Sequence, residues 1–273
     1  MGTIRPRPFP ISSFADAIPR HWIAGSLFAT HVANGVNLLF PAGERFFVRS
    51  VRHYKDRIAK DPQLAEAVQG FAGQEGHHAR AHEAFFEVME RQGLEIQPFL
   101  RVYEKLAYGV LEPMFPPVFR LATTAAAEHF TALMAENFLS MAEDRQLHPL
   151  MERLLIWHAC EEIEHRSVAF DVFERIDGRY SVRMAGLAIA TVTLAGFWIA
   201  AALYLMAQEK GAVEAVRRDL RVFRKRQPIG REVFLRGLRS YARRDFHPSK
   251  QKHLDALLER TITQLEGFIS VAA

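Results

Sequence analysis

A chain of 273 residues with 49% apolar side chains can bury a sizeable core, which excludes a disordered protein. Its single cysteine, Cys160, excludes an intrachain disulfide and fits a reducing compartment or simple indifference to redox. The net charge of +4 conceals an asymmetry: Lys210–Lys252 carries fourteen Lys/Arg against four Asp/Glu, a local +10, so the remainder stands at −6.

Taken in chain order, the dominant hydrophobic period is helical, and the fold class expected is all-α. The opening MGTIRPRPFPISSF holds Arg5 and Arg7 with no apolar run behind them, so it does not read as a secretory signal, and a cytoplasmic location is expected. Trp22–Leu38 reads as a short helix, and Phe40-Pro41 as the opening of the first long one. Asp61-Pro62 starts the second, an N-cap acid followed by proline in the first turn, and Gly93 stops it. Residues 98–112 form a connector. Pro116-Pro117 opens the third, ending near Asp144, and His148-Pro149 the fourth, from Leu150 to about Ile176, where Asp177-Gly178 halts it. The expected organisation is a helical bundle over 1–178, an apolar helix within 179–210 and a basic amphipathic tail over 211–273, broken near Gln227-Pro228 and His247-Pro248.

Chemistry concentrates on the four long helices. Glu75-Gly-His-His78 lies on the second and Glu162-Ile-Glu-His165 on the fourth. Residues three apart share a helix face, so each Glu-x-x-His pair aims an oxygen and a nitrogen at one point. One such pair is weak, since Glu and His are common on solvated faces. Each, however, follows a helix with a glutamate set among apolar or small residues: Glu44 in FPAGERFF and Glu128 in LATTAAAEHF. Glu, Glu-x-x-His, Glu, Glu-x-x-His is the donor scheme of di-iron and di-manganese carboxylate bundles. Two cations close together repel, and four carboxylates offset that charge while bridging them. The oxygen-rich donor set favours two iron ions, with manganese or a mixed pair as alternatives.

His158 lies one turn before Glu162, as a third histidine ligand or as a donor that orients a carboxylate. Glu161 competes with Glu162 for the ligand role; Glu162 reproduces the spacing seen on the second helix. His82, one turn beyond His78, is read as a supporting or core histidine behind the ligands. Glu164 falls off the shared face and reads as a solvated acid. Cys160, Trp157, Phe46 and Phe47 read as core.

FPAGERFF, QEGHHARAH and WHACEEIEH followed by VAFD resemble the bacterial family of predicted metal-dependent hydrolases, a ferritin-like group; the likeness spans roughly residues 20–245. It implies a ferritin-like four-helix bundle and metal-dependent hydrolysis. The His-x-x-x-Glu-x-x-His element is also similar to the di-iron aryl-amine N-oxygenases, which implies Glu44, Glu75, His78, Glu128, His158, Glu162 and His165 as ligands.

Met184–Ala207 is twenty-four residues without a charge. At about 1.5 Å per residue it would span a bilayer core of about 30 Å. Basic residues flank it on both sides, so a single span would set the tail and the metal domain on opposite faces. Partial insertion at the inner membrane face, or burial in a homodimer interface, avoids that conflict. The reading favoured from these features is an oxidoreductase in which two irons activate dioxygen, fed by an electron donor, to oxidise a small and hydrophobic organic substrate. The alternative is a hydrolase using a metal-activated water, and a second alternative is a non-catalytic metal-binding protein. A lipid surface is a candidate partner for the basic tail; no nucleic-acid partner is expected.

Overall fold

The computed structural model describes residues 4–15, 18–141, 146–226 and 229–272; the side chains of residues 15, 221–226 and 264–272 fall outside that description. The chain is all-α: among the described residues no strand forms, and extended pairing is limited to one bridge between Ile23 and Leu147.

Helix α1 runs over Leu27–Arg52, capped by Ser26, whose Oγ accepts from Ala29 N at 3.1 Å. It passes straight through Pro41, so no new helix opens at Phe40-Pro41, and Trp22–Gly25 stay outside it. An interior proline costs about 3 kcal/mol. Burial of Leu38, Leu39, Pro41, Ala42 and Phe46 on both sides of the missing N–H offsets that cost. Helix α2 covers Pro62–Arg91, with the Asp61 carboxylate accepting from Leu64 N at 3.1 Å. Gly93, at φ +81°, ends it as expected.

The expected connector is helical: Gln97–Glu104, a wider π-helical stretch at Lys105–Leu111, and a last turn at Glu112–Met114. This arm precedes α3, Pro117–Leu139. The end expected near Asp144 lies outside the described residues, as does the break at Gln227-Pro228.

The expected fourth helix is two. Helix α4, Pro149–His165, stops where the Arg166 guanidinium turns back to donate to Ile163 O at 2.5 Å. Helix α5, Val168–Ile176, resumes after Ser167. The interruption falls one residue after His165.

Helices α1 and α2 pack on each other, and α3 packs on α4 and α5, which also touch α2. Helix α6, Tyr180–Met206, lies against both α1 and α3. Two glycines set that contact: a Cβ on Gly186 would stand 2.4 Å from the Ala122 carbonyl carbon, and one on Gly35 would stand 2.9 Å from Ala202 N. Helix α6 is long and apolar enough to cross a membrane, with a third of that window buried; Val192, Ile199 and Leu203 are exposed along it. In the basic tail, Ala212–Arg226 packs on α1 and Lys252–Ala272 packs on α4.

Candidate metal centre

All seven candidate ligands are buried: Glu44 on α1, Glu75 and His78 on α2, Glu128 on α3, and His158, Glu162 and His165 on α4. The structure brings them into three overlapping groups, Glu44–His78–His158, Glu75–His78–Glu162 and Glu75–Glu128–His165. His158 Nε2 stands 2.9 Å from Glu162 Oε1, and His165 Nε2 stands 3.1 Å from Glu75 Oε1 and 3.4 Å from Glu128 Oε2. These distances do not make hydrogen bonds. Both oxygens of Glu44, Glu75 and Glu128, together with Glu162 Oε2, His78 Nδ1, His158 Nε2 and His165 Nε2, lack a hydrogen-bond partner. Two donors about 2.1 Å from one cation at right angles lie about 3.0 Å apart, so the spacing suits shared coordination. Orphaned buried carboxylates are otherwise costly.

The second set of contacts fixes which nitrogen of each histidine faces inward. Gln74 Nε2 donates to Glu164 Oε2 at 2.7 Å, so its Oε1 is the atom 2.9 Å from His165 Nδ1. An amide oxygen only accepts, so the proton sits on Nδ1 and Nε2 faces the cluster. Glu161 Oε2 is 3.1 Å from His78 Nε2, which leaves His78 Nδ1 pointing inward. Asn37 Oδ1 bonds His82 Nδ1, and His82 Nε2 is 2.7 Å from His158 Nδ1. With the proton of His82 committed to Asn37, His158 donates to His82 and presents Nε2 to the cluster. Each inward nitrogen therefore carries a lone pair when its ring is neutral.

Two of these supports, Gln74 and Asn37, carry no signal in the Glu/His spacing, because each meets its histidine across helices. Arg7 is the third omission. It reaches α4 from the N-terminal segment, with Nη2 2.6 Å from Glu164 Oε1 and its backbone N donating to Glu161 Oε1 at 3.1 Å. Glu164 is therefore no solvated acid but the half-buried anchor of Arg7 and Gln74. The Arg7 guanidinium pairs with Glu161 and Glu164, and among the described residues no arginine forms an ion pair with any of the seven candidate ligands.

Charge follows from burial. Desolvation, then the neighbouring Glu75, pushes the Glu44 carboxyl well above its ordinary range. Desolvation likewise raises Glu128, against the opposing pull of His165. Desolvation opposes protonation of His78, yet Glu161 and Glu162 outweigh it and raise the ring to about 10. Desolvation, then His158, drives His82 well below the ordinary histidine value, which keeps it neutral in its relay. Without cations the cluster thus holds protons, the species a divalent ion would displace.

Two apolar cavities reach the cluster. One meets Glu44 and the other meets His158 and Glu162; Phe40 and Thr131 line both. The Phe40 ring lies 4.9 Å from His82 and 4.8 Å from His158, centroid to centroid, and so packs against both rings.

Comparison with known proteins gives one family: the model of the family described as predicted metal-dependent hydrolase matches residues 6–252. No curated protein and no solved structure matches the chain. The family match overturns the expectation of a dioxygen-activating di-iron oxidoreductase fed by an electron donor, and it favours the hydrolytic alternative. The physical reason lies in the donors: glutamate and imidazole serve redox and hydrolytic cations alike, so the ligand pattern alone did not distinguish them. The buried His/Glu groups and the family together assign metal ions as the cofactor.

Proposed function

The chain belongs to the family of predicted metal-dependent hydrolases, and from that premise we propose that its Glu/His cluster binds two divalent cations and hydrolyses an organic substrate. Glu44, His78 and His158 would hold one ion and Glu75, Glu128 and His165 the other, with Glu162 beside Glu75 and His78. The oxygen-rich set with imidazole suits iron or manganese. Bound there, the cations supply Lewis acidity, which lowers the pKa of water and polarises the scissile group.

The chain's own part is threefold. Four carboxylates set the negative charge that makes the pocket selective for cations. Gln74, Glu161 and the Asn37–His82 pair hold three imidazoles in the tautomer that offers a lone pair. The apolar walls and the Phe40 ring face the cluster from both cavities. The observation that carries this reading is the set of buried oxygens and nitrogens that converge with no hydrogen-bond partner.

The experiment is anaerobic loading with manganese, without reductant, followed by a panel of chromogenic esters. Turnover should rise with bound metal, vanish on chelation, and be lost in a folded Glu162→Ala variant. A fully loaded protein that cleaves none of them, or a Glu162→Ala variant that retains turnover, overturns the assignment.

A further inference from the structure

We infer that the cavity ending at Glu44 receives the unbranched acyl chain of a carboxylic ester or amide, an inference that rests on the hydrolytic reading. Three helical rows form its walls. Arg120, Thr123, Ala127 and Thr131 line it along α3, Ile189, Thr193 and Phe197 along α6, and Tyr103, Ala107 and Leu111 along the arm. Steps of three and four keep each row on one helix face. The α3 row alone runs for about 16 Å at about 1.5 Å per residue. Extended carbon chains advance about 1.25 Å per C–C bond of about 1.5 Å, so roughly a dozen carbons match that length.

The polar groups in these walls are already engaged. Thr123 Oγ1 donates to Phe119 O at 2.8 Å, Thr193 Oγ1 to Ile189 O at 2.7 Å and Thr131 Oγ1 to Glu128 O at 3.1 Å. The Tyr103 and Tyr108 hydroxyls bond each other at 2.6 Å. Glu112 pairs with Arg49 at 2.8 Å, and Arg120 Nε donates to Phe115 O at 2.8 Å. Apart from the outer guanidinium nitrogens of Arg120, at the far end of the α3 row from the cluster, methyls and rings are what remain to meet a ligand. At the cluster end stands Glu44, buried with both carboxylate oxygens unpartnered. That gradient orients the substrate: chain along the helical rows, carbonyl at the Glu44 end beside the cluster.

The surface continues the pattern. Val102, Leu106, Val110 and Met114 are exposed at every fourth position of the arm, and Val192, Ile199 and Leu203 are exposed on α6. Both stripes border the walls of this cavity and give an apolar chain a path to it. In the reaction, water adds to the acyl carbon, the C–O or C–N bond breaks, and the alcohol or amine leaves with the proton. The carboxylic acid product retains the chain that the cavity holds.

The test is calorimetric titration of the manganese-loaded full chain with straight-chain alkanoates, from butanoate to tetradecanoate. One site per chain is expected, with affinity rising about fourfold per methylene and levelling near a dozen carbons. Thr193→Trp and, as a second variant, Ala107→Trp should flatten that rise, with circular dichroism confirming that each remains folded. Ala29→Trp, in the other cavity, should leave the rise intact. Affinity independent of chain length overturns the inference, as does a rise abolished by Ala29→Trp and not by Thr193→Trp. Alkanoates are not cleaved, so the two readings separate: a clear chain-length series in a protein that cleaves no ester removes the hydrolytic reading and leaves the chain site standing.

Discussion

His78 Nε2 stands 3.1 Å from Glu161 Oε2, while the other oxygen of Glu161 accepts from the Arg7 backbone N at 3.1 Å. Both carboxylate oxygens therefore face donors. A glutamine supplies one acceptor, so in Glu161→Gln its NH₂ must meet either Arg7 N–H or His78. If it meets His78, the ring shifts its proton to Nδ1 and loses the lone pair aimed at the cluster. Metal affinity should fall by about 10- to 100-fold, with helical content unchanged. Competition titration against a metallochromic chelator measures it; affinity equal to the parent protein would show that the Glu161 contact does not set the tautomer.

Gln74 does the same for His165 by a different route. Its amide spans Glu164 and His165 and also donates to Arg5 O, and Gln74→Leu removes all three contacts at similar volume. The His165 ring then lacks an acceptor for Nδ1–H at a fully buried position, which leaves a buried donor unpaired at about 1–3 kcal/mol. Expected are a lower melting temperature and metal affinity reduced by about 10-fold or more. A variant that melts lower but binds metal as tightly would confine Gln74 to a packing role.

What the sequence makes legible here follows from period and spacing. The all-α class, the stops at Gly93 and Gly178, and the convergence of Glu44, Glu75, His78, Glu128, His158, Glu162 and His165 each rest on local geometry, which a helix repeats faithfully. Three features escape it. Pro41 sits inside α1 because long-range burial outweighs a local penalty. The break after His165 depends on Arg166 folding back onto its own helix. Arg7 meets Glu161 and Glu164 across more than 150 positions of chain, a pairing that no periodicity encodes. Reaction type is a further kind of information, because a Glu/His set fits several chemistries.

Gly186 tests the seat of α6. A methyl there would lie 2.4 Å from the Ala122 carbonyl carbon and 2.5 Å from its oxygen, and backbone cannot swing aside as a side chain can. Gly186→Ala should gain about 1 kcal/mol of helix propensity and lose about 1–3 kcal/mol to overpacking. The expected net is a lower unfolding midpoint, read by chemical denaturation. A gain in stability would mean that α6 rides further from α3 than the close approach implies.

Protons and cations compete for one set of atoms. Burial raises the carboxyls of Glu44 and Glu128, and the surrounding glutamates raise His78 to about 10. At neutral pH the metal-free cluster holds these protons, and each cation must displace them. Affinity should therefore fall as pH falls, by about tenfold per pH unit for every proton released, and binding should acidify a weakly buffered solution. The stability of the metal-free protein has the opposite slope. A folded-state pKa above the unfolded value gives stability that is complete below the unfolded pKa, so it is lost as pH rises from the ordinary carboxylate range, and for His78 as pH passes through about 10. Glu162, held well below the ordinary range by His165 and His158 against desolvation, works the other way and resists loss above that range. His82 and His158, lowered by burial, also gain stability as pH rises, but only up to the ordinary histidine range, so above neutral pH the raised groups set the slope and metal-free protein should melt progressively lower, while metal-loaded protein should not. Calorimetric melts of both forms across pH, with proton release followed by an indicator dye, decide it; a metal-free protein that gains stability with rising pH would show that the carboxylates are not repelling one another across the site.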